Sequence, residues 1–193
     1  MTHPTQALHI PDTQSERDER HLAIQRVGVK DVRYPLRLRV AGAEQQTAAV
    51  WTLDVALPAE KKGTHMSRFV AWLDGLDAPL DAAVLRDKLG AMLTLLNASE
   101  GRIESRFSFF LRKRAPVSGV QSLLDYQGRW IAEARAGQTT VWTEVAVPVK
   151  SLCPCSKEIS DYGAHNQRST VTIRAETLAP VAWEELVRFA EVN

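Results

Sequence analysis

The sequence predicts an α+β fold on an antiparallel sheet, and three observations carry that prediction. Several runs alternate apolar and polar side chains, the period of half-buried strands. Two runs between them repeat their apolar residues at helical spacing. The resulting order, ββααββ, begins again after residue 136.

The elements follow in order. Met1 to Arg20 is polar, contains proline and has no periodicity, which reads as a mobile tail, residues 1–20. In the first strand Val32, Tyr34, Leu36, Leu38 and Val40 face one way, with Arg33, Arg37 and Arg39 between them. Pro35 puts this strand at an edge or a bulge. Ala49, Trp51, Leu53, Val55 and Leu57 alternate next, so the two form a hairpin turned near Gly42. His65 to Leu73 reads as a short helix ended by Asp74-Gly75. Leu80 to Asn97 is a longer one, with Leu85, Leu89, Met92, Leu93 and Leu96 on one stripe. Ile103, Phe107, Phe109 and Leu111 resume the alternation, and Leu123 to Ala134 is extended, with a turn expected at Gln127-Gly128. That completes a first unit, residues 21–136.

The second unit, residues 137–193, opens on Val141, Thr143, Val145, Val147 and Val149. An extended Thr170–Thr177 follows, then an amphipathic helix carried by Trp183, Leu186, Val187 and Ala190. It holds ββα only, an order that would leave an open sheet edge and an uncovered apolar face. The second unit therefore reads as truncated, with a helix, two strands and further site residues expected beyond Asn193.

The totals restrict function. Of 193 residues, 45% are hydrophobic and 24% charged, the balance of a soluble globular protein. A net charge of +1 gives no general attraction to nucleic acid or anionic membrane, so any bound anion needs a local cluster of cations. No apolar run approaches the roughly 18–20 residues of a membrane span, and no secretion signal opens the chain, so a cytoplasmic location is expected. There, cysteines stay reduced.

Both cysteines lie in one connection, SLCPCSKEISDYGAHNQRS, residues 151–169. Cys153 ends a strand, Pro154 stiffens the turn, and His165 follows on the returning strand. A thiolate and an imidazole so placed are good ligands for zinc or a similar divalent ion, but a catalytic zinc site has three protein ligands. No third ligand stands out in the sequence. The plainer readings are a small buried hydrophobe for each cysteine, a strained disulfide, and a structural histidine. Lys157, Glu158, His165, Asn166, Gln167 and Arg168 make the connection far more polar than a strand link requires. The residues alone thus point to a metal or thiol site handling an anionic polar substrate.

The string CPCSKEIS-x-YGAHNQRS resembles the signature of the type IB GTP cyclohydrolase I family, the prokaryotic form. Further similar segments are QRVGVKDVRYPL (25–36) and KGTHMSRF (62–69), so the resemblance runs from about residue 21 onward. It implies a tandem tunnelling fold and a homotetramer. It also implies conversion of GTP and water to formate and 7,8-dihydroneopterin triphosphate, the entry to folate and pterin biosynthesis. By position it makes Cys153 and His165 metal ligands, with zinc foremost and manganese or iron as alternatives, and Cys155 a second functional thiol. The family's third ligand, a glutamate, and its guanine-reading glutamate would lie further on. Lys62, His65, Arg68, Lys157, Gln167 and Arg168 are the residues within these motifs suited to hold the substrate. Two other functions compete: a nitrile reductase of the same fold with a cysteine nucleophile, and a non-catalytic purine- or pterin-binding module.

Overall fold

A computed structural model describes residues 16–115, 117–161, 165–177 and 179–192. Six strands form one antiparallel sheet in which each pairs with its sequence neighbours, in the order β1-β2-β3-β4-β5-β6. They are β1 (Ile24–Val40), β2 (Ala43–Leu57), β3 (Gly101–Arg114), β4 (Gln121–Arg135), β5 (Gln138–Leu152) and β6 (Asn166–Glu176). Helices α1 (Met66–Asp74) and α2 (Ala82–Leu96) lie between β2 and β3, α3 (Pro154–Ile159) between β5 and β6, and α4 (Trp183–Val192) after β6. The expected order is present, ββααββ and then ββ with a closing helix.

Strand alternation sends one set of side chains to a single core. Leu36, Leu38, Trp51, Leu53, Ile103, Phe109, Val141 and Val145 are buried there, against Leu85, Leu89 and Met92 of α2. Asp81 caps α2, its side chain accepting from the Val84 N–H at 2.9 Å. Asn97 ends the helix in the left-handed conformation. The opposite face is charged. Glu104 accepts from Arg102 at 2.6 Å and Arg129 at 3.0 Å, and Arg129 also reaches Glu144 at 3.4 Å.

Three expectations are corrected. Gln127-Gly128 is not a turn: β4 is continuous there, with Gly128 opposite Phe107 on one side and Val145 on the other. The glycine makes room, since a Cβ at this position would sit 2.6 Å from the Phe107 ring. The apolar face of β5 is not left in water. Val141, Val145 and Val147 are buried in the single core that Trp183 and Val187 of α4 also join. Trp183 closes an aromatic cluster, its ring 4.9 Å from Phe109, 5.3 Å from Trp130 and 5.5 Å from Phe107. The last part of the expected tail is also fixed. Asp18 is buried, its N–H bonded to the Glu60 carbonyl at 3.0 Å, and Lys62 pairs with Glu16 at 2.7 Å. The rest of that tail, 1–15, lies outside the described residues, as does Asn193.

The strands make three hairpins that merge in the middle and splay at one end. β2 leaves β3 beyond Ala49↔Phe107, and β4 leaves β5 beyond Gln127↔Ala146. Past those points β3–β4 and β5–β6 continue as separate two-stranded arms, ending at Arg114↔Gln121 and Leu152↔Asn166. Among the described residues no helix is long and apolar enough to cross a membrane.

Candidate functional site

The β5–β6 arm carries the thiols at its tip. β5 and β6 pair in register as far as Leu152↔Asn166, and the next position outward joins Cys153 to His165. There the Cys153 N–H donates to the His165 carbonyl at 3.1 Å. Side chains directly opposite in an antiparallel pair have Cβ atoms about 4.5–5.5 Å apart. Twelve residues of separation in sequence thus become neighbours in space, because β5 and β6 are antiparallel neighbours with α3 between them in sequence.

Pro154 starts α3, where its missing N–H costs nothing. Cys153 is the residue before the helix and the Lys157 N–H bonds its carbonyl at 3.1 Å. The Cys153 thiol is buried, whereas Cys155 is exposed. Hydrogen bonds from the Ser156 backbone and hydroxyl, with lesser ones from Cys155, hold the Cys153 thiol below its usual pKa against the opposing effect of burial. The Ser156 hydroxyl also lies 2.7 Å from His165 Nδ1. Ser156 was not singled out from sequence, because a serine in a polar turn carries no signal until its partners are seen.

A buried sulfur stabilised as thiolate, beside an imidazole, suits a divalent ion of zinc type as two of its ligands. Among the described residues no group of three or more His, Cys, Asp and Glu side chains could hold a metal. Lys157, Gln167 and Arg168 lie near the pair in sequence and are exposed. Gln167 is in register with Ser151 and Arg168 with Lys150, so alternation puts Gln167 on the Cys153 side of the arm and Arg168 on the other. Tyr162, Gly163 and Ala164 of the motif lie outside the described residues.

The other predicted binding residues are at the far end of the sheet. Lys62 is held by Glu16, and Arg68 donates to the Leu95 carbonyl at 3.1 Å, tying α1 to α2. His65 and Arg68 line a cavity of about 140 Å³ with Lys61 and Asn97. Beside it a cavity of about 400 Å³ is lined by Arg26, Asp54, Glu100, Arg102, Glu133 and Arg135. The register Val55↔Gly101↔Ala134↔Thr139 fixes how far this is from the thiols. Cys153 is 14 positions along β5 from Thr139, about 45 Å at the rise of a strand. Within one chain the Lys62, His65 and Arg68 group does not meet the Cys153 site.

A six-stranded antiparallel sheet with four helices, carrying a buried cysteine across a strand pair from a histidine, defines an α+β protein with a candidate site at a strand end. The family described as "Type I GTP cyclohydrolase folE2" matches residues 10–193. A GTP cyclohydrolase FolE2 of Methylibium petroleiphilum is 73% identical over 187 residues, covering 93% of this chain and 63% of its own length. That of Paraburkholderia xenovorans is 57% identical over 192 residues, covering 99% of this chain and 72% of its own. The chain belongs to the FolE2 family of type I GTP cyclohydrolases. It spans 63% of the first relative's length.

Proposed function

We propose that this chain works as a metal-dependent GTP cyclohydrolase, converting GTP and water to formate and 7,8-dihydroneopterin triphosphate, the first step toward folate. The observation that carries the reading is the facing pair Cys153 and His165 at the tip of β5–β6, in a chain of this family. Cys153 Sγ and one ring nitrogen of His165 would be two ligands of the ion, with zinc foremost and manganese or iron as alternatives. When bound, such an ion supplies Lewis acidity and a water activated near neutral pH, suited to attack on a weak electrophile such as carbon 8 of guanine. Cys155, exposed two residues from Cys153, is placed to give or take a proton as the purine ring opens. Lys157 offers a cation to the triphosphate, which a chain of net charge +1 can bind only locally, whereas Arg168 lies on the other face of the arm.

The reading includes a tandem tunnelling fold and a cytoplasmic homotetramer. Two features support assembly. The Lys62, His65 and Arg68 group can join the thiol site only if another subunit supplies it, and the splayed arms leave large apolar residues in water. Val117, Val120, Leu123 and Leu124 on the β3–β4 arm are 98%, 64%, 56% and 44% exposed, and two-stranded arms are marginal alone. Formate release and pterin fluorescence from GTP test the activity, before and after chelation and on re-addition of zinc, manganese or iron. Turnover that survives complete metal removal would refute it.

A further inference from the structure

We propose that residues Glu16 to Asp18 form an autoinhibitory latch, in which the Glu16 carboxylate holds Lys62 in the place of a substrate phosphate and a bound polyphosphate displaces it. The latch rests for its function on the reading above, in which Lys62, His65 and Arg68 hold the triphosphate of GTP. Three cations meet where the loop after β2 and the start of α1 pass the end of α2. Lys61 donates to the Asn97 carbonyl and Arg68 to the Leu95 carbonyl, so both cap the last turn of α2. Carbonyls are neutral, and one such bond leaves the charge and most donors of an ammonium or guanidinium available to an anion. Both residues, with His65, line the cavity of about 140 Å³. Lys62 differs. Its ammonium lies 2.7 Å from Glu16 Oε2, and among the described residues it alone of the three is paired with a carboxylate.

The backbone puts Glu16 there. Arg17 forms an antiparallel bridge with Lys61. The Lys62 N–H donates to the Glu16 carbonyl at 3.2 Å and the Asp18 N–H to the Glu60 carbonyl at 3.0 Å. Asp18 is buried, and its carboxylate accepts from the Arg20 N–H and guanidinium, each at 3.0 Å, which closes a tight loop just after the bridge. The latch is well placed and weakly held. The Glu16 and Lys62 side chains are 49% and 48% exposed, and an exposed pair is screened and contributes little. A polyphosphate brings several charges against the single one of Glu16, so it wins Lys62. Because the latch must open first, the apparent affinity for that ligand is the intrinsic one reduced by the fraction of chains already open.

Calorimetric titration of inorganic triphosphate into the full chain at low salt tests this, on the parent, Glu16→Gln, Lys62→Ala and the double variant. The latch predicts binding about threefold tighter in Glu16→Gln, the size an exposed ion pair allows. Lys62→Ala should weaken binding, and Glu16→Gln should have no effect in that background. Hydrogen exchange at the Asp18 and Lys62 amides should quicken when triphosphate is added. Suppose Lys62→Ala weakens binding but Glu16→Gln does not tighten it, or tightens it equally in both backgrounds. Either result overturns the latch and leaves the triphosphate reading standing, as do amides unchanged or slowed by bound triphosphate. Binding indifferent to Lys62→Ala, or absent from the parent, overturns that reading and the latch with it.

Discussion

At the scale of single residues the two thiols are unequal, and the inequality is testable. Cys153 is buried and held toward thiolate, whereas Cys155 is in water. Cys153→Ala should lose both bound zinc and formate release. Cys155→Ala should keep zinc within a few-fold and lose turnover, as a proton-transfer group near an ion would. Metal content and formate assays on the two variants check this, and zinc loss in Cys155→Ala alone would reverse the roles. Asp54 gives a prediction about pH. Burial raises its pKa, and Arg26 and Arg102 only partly offset this. Its ionised form therefore costs stability, a cost absent below the carboxyl's unfolded pKa and fully present once pH has risen past the folded one. Asp54→Asn should raise Tm by about 2 °C at neutral pH, and the gain should vanish in acid. A melt showing the gain growing as pH falls would contradict it.

At the scale of elements the sequence was most informative where a periodic stripe is long. The α2 stripe of Leu85, Leu89, Met92 and Leu96 and the valines of β5 are buried as their spacing requires. Glycine was misleading for a physical reason. Gly128 looks like a turn from composition, but its lack of a Cβ serves the packing of Phe107 across the strand pair. Only the register shows that, and no local pattern encodes register. Gly128→Ala should cost about 1–3 kcal/mol by overpacking, seen as a lowered midpoint in urea with an unchanged slope. The meeting of Cys153 and His165 was legible because a strand end and a returning strand imply it. Ser156 was not, since its 2.7 Å contact with His165 Nδ1 is one that a sequence does not rank above any other polar neighbour.

At the scale of the whole molecule the separation of about 45 Å along the sheet means that Lys62, His65 and Arg68 can take part in the proposed chemistry only through a second subunit. If the arms mediate assembly, charging them should dissociate it. Val120→Lys with Leu123→Lys, at residues 64% and 56% exposed, should shift the chain to smaller species in sedimentation while its circular dichroism is unchanged. Formate release should fall with assembly. Assembly undisturbed by both substitutions would move the interface away from the β3–β4 arm.

The splaying of the three hairpins also has a consequence for order in time. Between Ala146 and Leu152 β5 has only β6 beside it, so the thiol site hangs from a single ladder while the region around Trp51 and Ile103 is paired on both sides. Opening that ladder exposes little buried apolar surface, so amide protons near the tip should exchange orders of magnitude faster than those of β2 and β3. Whatever binds at Cys153 and His165 must first quiet this fraying. Part of its intrinsic affinity is then consumed in ordering the arm. A neighbouring subunit that clamps the arm would return that affinity with no new contact to the ligand, making assembly and ligand binding mutually reinforcing.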